Sequence, residues 1–258
     1  MPTIEDTDSS LRTARSLNVY ESNIAICLKA FASKCESLTV EMLRKQFYSL
    51  PQPNPKEYVV FGDPSNACKN RYSNIPCLDS SRILLEFLLF ESGGGYIHAN
   101  RVTYPLLRNE FIITQSRIQE GDVFVSSIEL RYLANRRTVI HYHWTGWPDC
   151  TDRERSDDVF HAETSTRKQN TFVHCSAGVG RSGTIVALEM CLMTIANTLP
   201  IDIHAIVCSL RQFRAMAVQT FEQYISLYKL VLLFGQQNGC INSEDVESFY
   251  RVLQVARL

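Results

Sequence analysis

Residues 174–184 read His-Cys-Ser-Ala-Gly-Val-Gly-Arg-Ser-Gly-Thr. The apolar run Thr171-Phe172-Val173 precedes this stretch, and a helix-like pattern begins at Thr184. Small residues in a loop that ends at a helix N-terminus allow backbone N–H groups to surround an anion. Arg181 adds a planar guanidinium that can bond two phosphate oxygens at once. The same positive surroundings favour the thiolate form of Cys175, so the stretch predicts a nucleophile inside a phosphate site.

The bulk composition limits the classes of partner. The chain has 258 residues, 45% of them hydrophobic, and a net charge of −1. Without a strong basic run, nucleic acid is not an expected partner. We expect no secretory signal in the polar, acidic start, and no membrane partner, because the most apolar run, Ile185–Leu199, is short and interrupted by Glu189. Nine cysteines without a Cys-x-x-Cys pair indicate reduced thiols and a cytoplasmic setting.

Hydrophobic periodicity predicts an α/β fold with a mixed, twisted sheet flanked by helices. The predicted helices are Val19–Cys35, Thr39–Leu50, Ser182–Thr198, Asp202–Arg214, Thr220–Phe234 and Ser243–Val255. The predicted strands are Ile83–Glu91, Gly95–Arg101, Glu110–Thr114, Asp122–Leu133 and Thr138–Trp144, and Tyr58–Ala67 is predicted as a loop. We expect a mobile tail over residues 1–15 and a single domain over residues 16–258.

Three further stretches accompany the cysteine loop along the chain. They are Lys69-Asn70-Arg71-Tyr72, Trp147-Pro148-Asp149 and Gln219-Thr220-Phe221-Glu222-Gln223-Tyr224. Together with residues 174–184 they resemble the protein tyrosine phosphatase family in its phosphotyrosine-specific form. The resemblance covers about residues 39–235 and implies a tyrosine-phosphatase-like fold.

The resemblance implies a substrate-binding role for several residues. An aromatic ring at Tyr72 can stack on a substrate phenol and deepen the pocket, and Asn74 matches a position that contacts the substrate backbone. Taken alone, Tyr72 is more typical of a residue that only packs a surface loop, and the surrounding motif favours the substrate-binding role. The residues expected to bind the phosphate group are Ser176, Ala177, Gly178, Val179, Gly180 and Arg181.

The same resemblance implies the catalytic roles. Asp149 would protonate the leaving tyrosine oxygen, and Gln219 and Gln223 would hold the water of a second step. Ser182 would donate a hydrogen bond to the Cys175 sulfur, although a helix N-cap would look identical in sequence. His174 would orient the loop, and a buried structural histidine is an equal description. In isolation, the two glutamines would indicate only a helix surface.

The chain departs from the family pattern between Gln115 and Trp147. These residues are only 32 positions apart, several tens fewer than the family normally has, so part of the central sheet is expected to be missing around residues 116–138. Met216 stands where the family usually has glycine, and Cys150-Thr151 replaces a usual His-Gly pair. The chemical residues are therefore complete, whereas the scaffold between them is shortened.

The leading hypothesis is a protein tyrosine phosphatase that acts on phosphotyrosine proteins through a phosphocysteine intermediate. No metal or other cofactor is expected, because the histidines and remaining cysteines lack ligand spacing. The alternatives are an impaired phosphatase that binds and shields phosphosites, a truncated product that folds poorly, and a dual-specificity phosphatase. The compact domain also resembles those carried by viruses of parasitoid wasps, which would place it in host cytoplasm. The oligomeric state is left open.

Overall fold

The computed structural model describes residues 21–85, 95–115, 124–132, 135–143, 170–256 and 258. Its main sheet has four strands in the order β1-β2-β3-β6. These strands are β1 (Arg82–Leu84), β2 (Tyr96–Val102), β3 (Glu110–Gln115) and β6 (Asn170–Cys175). The first three strands are antiparallel neighbours, and β6 runs parallel to β3. The sheet is therefore mixed, as the sequence predicts.

A second sheet contains only β4 (Phe124–Tyr132) and β5 (Asn135–His143). The two strands pair antiparallel from Phe124 opposite His143 to Tyr132 opposite Asn135. Within the described ranges, no ladder of hydrogen bonds joins this hairpin to the four-stranded sheet. The hairpin lies in the shortened stretch of the sequence, of which residues 116–123, 133–134 and 144–147 are outside the described residues.

The described part of the chain contains six α-helices, and most of them follow β6. The helices are α1 (residues 21–36), α2 (Val40–Tyr48), α3 (Arg181–Ala196), α4 (Ile203–Phe213), α5 (Phe221–Gln237) and α6 (Glu244–Val255). Helix α3 is apolar on all sides and packs against the sheet and against α4 and α5. The loop after β6 therefore leads into the N-terminus of a helix that is packed against the sheet and two other helices. No helix in the described ranges is long and apolar enough to cross a membrane.

The element types agree with the sequence predictions, and the boundaries differ locally. The predicted loop Tyr58–Ala67 contains the start of a 3₁₀ segment, Pro64–Lys69, capped by the Asp63 side chain. A second 3₁₀ segment, Pro55–Glu57, has a capping box that was not predicted. The first predicted strand is described only as Arg82–Leu84, because residues 86–94 lie outside the described residues. Residues 1–20 also lie outside them, so the tail and the domain bounds stay predictions.

Candidate active site

Cys175 is the last residue of β6 and lies opposite Gln115, the last residue of β3. Residues 176–180, here called the phosphate loop, connect it to the first turn of α3. The backbone N–H of Gly178 donates to the Cys175 sulfur over 3.2 Å. The sulfur is half-buried and not in a disulfide. A sulfur that accepts a backbone N–H at a helix N-terminus is in a position that stabilises negative charge.

The path of the phosphate loop depends on Gly178. Its φ of 68° lies in the left-handed region, which glycine adopts at no steric cost. A Cβ at this position would overlap the carbonyl oxygen of Thr114 in β3. The loop therefore packs directly on the end of the sheet.

Arg214 holds the outer side of the phosphate loop. This fully buried side chain donates to the carbonyl oxygens of Gly178 (2.9 Å) and Ala177 (3.1 Å) and to Asn100 Oδ1 (2.7 Å). Burial lowers the pKa of Arg214 to about 10, so the side chain stays charged at neutral pH. With these carbonyl groups turned towards Arg214, the N–H groups of the loop other than that of Gly178, which donates to the Cys175 sulfur, remain for an anion.

His98 completes the contacts of this buried arginine. Arg214 Nη1 lies 3.3 Å from His98 Nδ1, and His98 Nε2 lies 2.9 Å from the carbonyl oxygen of Ile75. These partners assign a neutral ring with its proton on Nε2. Burial, together with the Arg214 charge, lowers the pKa of His98 to about 4. Neutral His98 therefore accepts a hydrogen bond from a charged neighbour.

The two predicted glutamines face the phosphate loop from the start of α5. A Cβ on Gly180 would lie 2.8 Å from Gln223 Nε2 and 3.2 Å from Gln219 Oε1. Gln223 has a second task, because its Oε1 accepts from the backbone N–H of Gln219 (3.0 Å) and of Thr220 (3.3 Å). Because this capping box uses Oε1, only the amide Nε2 of Gln223 could bind a water. The water-holding role predicted for Gln223 is therefore limited to that atom.

Residues 215–220, here called the glutamine loop, are held by backbone contacts. Val218 N–H donates to the carbonyl oxygen of Val179 over 2.9 Å, and Arg211 donates to the carbonyl oxygens of Ala217 and Val218. Two side-chain-bearing residues adopt left-handed backbone angles, with φ of 61° at Met216 and 59° at Val218. Met216 thus occupies a conformation that suits the glycine expected there from the family pattern.

Tyr72 and the phosphate loop are in direct contact. The Tyr72 hydroxyl is hydrogen-bonded to Ser176 Oγ over 2.6 Å, and the Arg71 guanidinium lies 5.3 Å from the Tyr72 ring centre. Asn74 is exposed in the same segment. The alternative of a ring that only packs a surface loop is wrong, because Tyr72 reaches a residue 104 positions away.

Gln115 is a site residue that the sequence reasoning did not identify as functional. Its Oε1 accepts from the backbone N–H of Arg71 over 3.0 Å, so the end of β3 anchors the segment that carries Tyr72. In the sequence, Gln115 is a polar residue at the end of an apolar strand, which could have indicated a functional role. Its position beside Cys175 depends on the parallel pairing of β3 and β6.

The remaining predicted residues lie next to the loop. Arg181 begins α3, and His174 lies in β6 opposite Thr114. Ser182 is buried, and its hydroxyl has no hydrogen-bond partner in the part of the chain that the structure describes. The alternative of Ser182 as the N-cap is wrong, because α3 begins after Gly180. Its predicted bond to the sulfur is not formed here, where the N–H of Gly178 contacts the sulfur instead.

The predicted acid falls in a stretch about which the structure gives no information. Asp149, Trp147 and Cys150-Thr151 lie outside the described residues. In the described ranges, no group of three or more His, Cys, Asp or Glu side chains is arranged to hold a metal ion.

Comparison with known proteins identifies a family model and several relatives that are similar to this chain. The family model described as protein-tyrosine phosphatase matches residues 66–121 and 117–233. The chain is 26% identical to tyrosine-protein phosphatase 69D of Drosophila melanogaster, over 72% of this chain and 18% of that protein. It is 31% identical to tyrosine-protein phosphatase non-receptor type 5 of Mus musculus, over 52% of this chain and 26% of that protein. It therefore spans about a quarter or less of the length of these curated relatives.

The fold is also similar to that of a solved tyrosine phosphatase domain. The crystal structure of the catalytic domain of human protein tyrosine phosphatase non-receptor type 18 matches with a TM-score of 0.63 at 20% identity. The match covers 79% of this chain and 99% of that one. The two segments matched by the family model meet at residues 117–121, where the shortened stretch begins. With most of its length matched on both sides of that stretch, the chain belongs to the protein-tyrosine phosphatase family.

Proposed function

We propose that this domain hydrolyses phosphotyrosine in proteins through a phosphocysteine intermediate. One observation carries the proposal: the Cys175 sulfur accepts a backbone N–H inside a loop that the buried Arg214 holds open. The loop ends at the N-terminus of α3, where partial positive charge favours both a thiolate and a phosphate dianion.

In the first step, the Cys175 thiolate attacks phosphorus. A sulfur–phosphorus bond forms, the bond between phosphorus and the tyrosine oxygen breaks, and Asp149 donates its proton to that oxygen. Arg181 and the backbone N–H groups of the phosphate loop stabilise the equatorial oxygens. The role of Asp149 rests on the sequence resemblance.

In the second step, water attacks phosphorus and the sulfur–phosphorus bond breaks. Asp149 takes the proton of the water, and Cys175 leaves as a thiolate. Gln219 and the amide Nε2 of Gln223, which is buried and has no hydrogen-bond partner in the described structure, would hold the water, a role supported by their position against Gly180. The resemblance assigns Ser182 to donate to the leaving sulfur, which requires the Ser182 side chain to change its conformation.

The proposed substrate class, phosphotyrosine proteins, is supported by the residues beside the phosphate loop. Tyr72 lies over one side of the phosphate loop through its bond to Ser176, and its ring can stack on a substrate phenol. Asn74, exposed on the same segment, is available to a substrate backbone. The partners would be phosphotyrosine proteins. The described cysteines are not joined in disulfides, which supports the expected cytoplasmic setting.

The test measures phosphate released from a phosphotyrosine peptide by the wild type, Cys175→Ser and Asp149→Ala. We expect turnover by the wild type, none with Cys175→Ser, and a loss of about 100-fold or more with Asp149→Ala. A phosphoserine peptide should be hydrolysed far more slowly. A folded wild type that binds the phosphotyrosine peptide but releases no phosphate would overturn the proposal.

That contrary result would favour the second candidate, a phosphotyrosine-binding protein with impaired turnover. The observation behind this candidate is the break in the family match at residues 117–121, followed by a hairpin that shares no ladder with the main sheet in the described ranges. A protein of this kind would bind phosphosites and shield them. Turnover that disappears with Cys175→Ser while peptide binding persists would exclude it.

A further inference from the structure

A second polar pocket lies at the other end of the buried network behind the phosphate loop. It has a volume of about 330 Å³ and forms where β1 and β2 meet the end of α4. The lining residues that matter here are Ser80, Ser81, Arg82, Arg101, Thr103 and Phe213. The volume is at the lower end of the range typical of small-molecule sites.

Arg82 gives this pocket a positive charge that the protein does not fully neutralise. Its side chain is 14% exposed, and its Nε and Nη1 atoms have no hydrogen-bond acceptor in the described structure. The Asp79 carboxylate is 3.9 Å away, and it already accepts from the backbone N–H groups of Val59 (2.7 Å) and Val60 (3.3 Å). Because Nε and Nη1 are themselves buried, Nη2 is the guanidinium nitrogen that can donate to an anion in the pocket.

Arg101 supplies a second cation on the open side. Its side chain is 49% exposed, and its ion pair with Glu110 spans 3.4 Å across neighbouring strands. Such an exposed pair is weak, so the Arg101 side chain can turn to a ligand at small cost. Among the described lining residues there is no carboxylate. The hydroxyl groups of Ser80 and Thr103 add donors, whereas Ser81 already donates to the carbonyl oxygen of Phe213.

The pocket is separate from the phosphate loop, and a chain of hydrogen bonds lies between them. Ser81 Oγ accepts from Asn100 Nδ2 over 2.8 Å, Asn100 Oδ1 accepts from Arg214 over 2.7 Å, and Arg214 donates to Gly178. No described residue lines the pocket and also belongs to the phosphate loop. A ligand in the pocket would therefore not compete directly with a substrate at Cys175.

We propose that this pocket binds a phosphate monoester joined to an apolar group, with Arg82 and Arg101 on the phosphate and Phe213 against the apolar part. Phe213 and Leu84 supply apolar lining beside the two arginines. This pairing suits a ligand with one charged end and one apolar end. A free phosphate monoester and the phosphorylated side chain of a protein share this chemistry.

The experiment is a calorimetric titration with phenyl phosphate. The Cys175→Ser, Arg181→Ala double variant prevents turnover and disables the phosphate loop, so the result does not depend on the proposed activity. We expect this variant to bind one phenyl phosphate. Adding Arg101→Ala should weaken that binding by about tenfold or more. Arg82→Lys keeps the charge but lacks the planar group that carries Nη2, so it should also weaken binding.

Arg251→Ala is the matched control, because Arg251 is also an exposed arginine paired with a glutamate, and it lies on α6. It should leave binding unchanged. A folded double variant that binds no phenyl phosphate would overturn the proposal, and so would binding that survives both Arg101→Ala and Arg82→Lys. A phosphotyrosine peptide that displaces phenyl phosphate would identify a protein side chain as the ligand, and a failure to displace it would identify a free small molecule.

Discussion

Arg214 is a single residue that sets the shape of the phosphate loop. Its guanidinium serves Gly178, Ala177 and Asn100 at the same time, and a lysine nitrogen cannot reach all three. We expect Arg214→Lys to lower kcat/KM on a phosphotyrosine peptide by about 10- to 100-fold, since each lost bond to a charged group is worth about 1.5–3 kcal/mol. Arg251→Lys, an exposed change of the same kind, should have no effect. Equal activity of the two variants would contradict this role.

His98 makes stability depend on pH. The unfolded chain protonates His98 below about pH 6.5, whereas the folded protein, with a pKa of about 4, does not. The unfolded state therefore binds more protons between these values, and stability falls as the pH falls. The loss from this group is roughly 3 kcal/mol in the free energy of unfolding.

Urea denaturation between pH 7 and pH 4 measures this effect, with His98→Gln as the comparison. The variant should lose less stability over the window than the wild type, because Gln does not titrate. Parallel curves for the two proteins would show that His98 is protonated equally in both states.

The sequence predicted the residues of the site whose chemistry is local, whereas the contacts that support the phosphate loop could not be predicted. Cys175, Arg181 and the small residues between them form one continuous stretch, so their geometry follows from a strand, a loop and a helix start. The partners of Arg214 lie 36 to 116 positions away, in strands whose pairing cannot be read from periodicity. Gln115 was missed for the same reason, since it lies 44 positions from Arg71.

At the scale of elements, the start of α5 combines capping with the proposed chemistry. Gln223 closes a capping box, whereas the side chain of Gln219 faces the loop without capping the helix. We expect Gln223→Ala to lower the free energy of unfolding by about 1 kcal/mol and to slow turnover. Gln219→Ala should slow turnover with a change in stability below about 0.5 kcal/mol. Thermal unfolding and phosphate release separate the two effects, and equal stability of the variants would refute the capping role.

The glutamine loop has strained backbone angles that a substitution can relieve. At Met216, with φ of 61°, glycine avoids a cost of about 1–2 kcal/mol that alanine retains. We expect Met216→Gly to be more stable than Met216→Ala by about 1 kcal/mol in urea, although glycine loses more entropy on folding. At positions with ordinary backbone angles, an alanine variant is more stable than a glycine variant. If Met216→Ala is likewise more stable than Met216→Gly, the backbone of the loop relaxes in the alanine variant.

At the scale of the whole molecule, the described strands form two sheets with different surroundings. The four-stranded sheet is covered by α3 and α4, whereas β4 and β5 share a ladder of hydrogen bonds only with each other within the described ranges. On β5, residues 136 and 138–140 are exposed, including Val139 and Ile140. A two-stranded sheet on its own is only marginally stable. We therefore expect this hairpin, which precedes the predicted acid Asp149, to be less stable than the main sheet.

Hydrogen exchange at neutral pH tests this division. We expect the amides of β4 and β5 to exchange through local opening, with protection lower by about 10-fold or more than that of β2, β3 and β6. A variant that weakens only the core, such as Leu210→Ala in α4, should accelerate exchange in the main sheet and leave the hairpin unchanged. If β4 and β5 are instead as protected as β3 and respond to Leu210→Ala, the hairpin unfolds together with the main sheet. The acid at Asp149 would then follow a hairpin as stable as the strand that ends in Cys175.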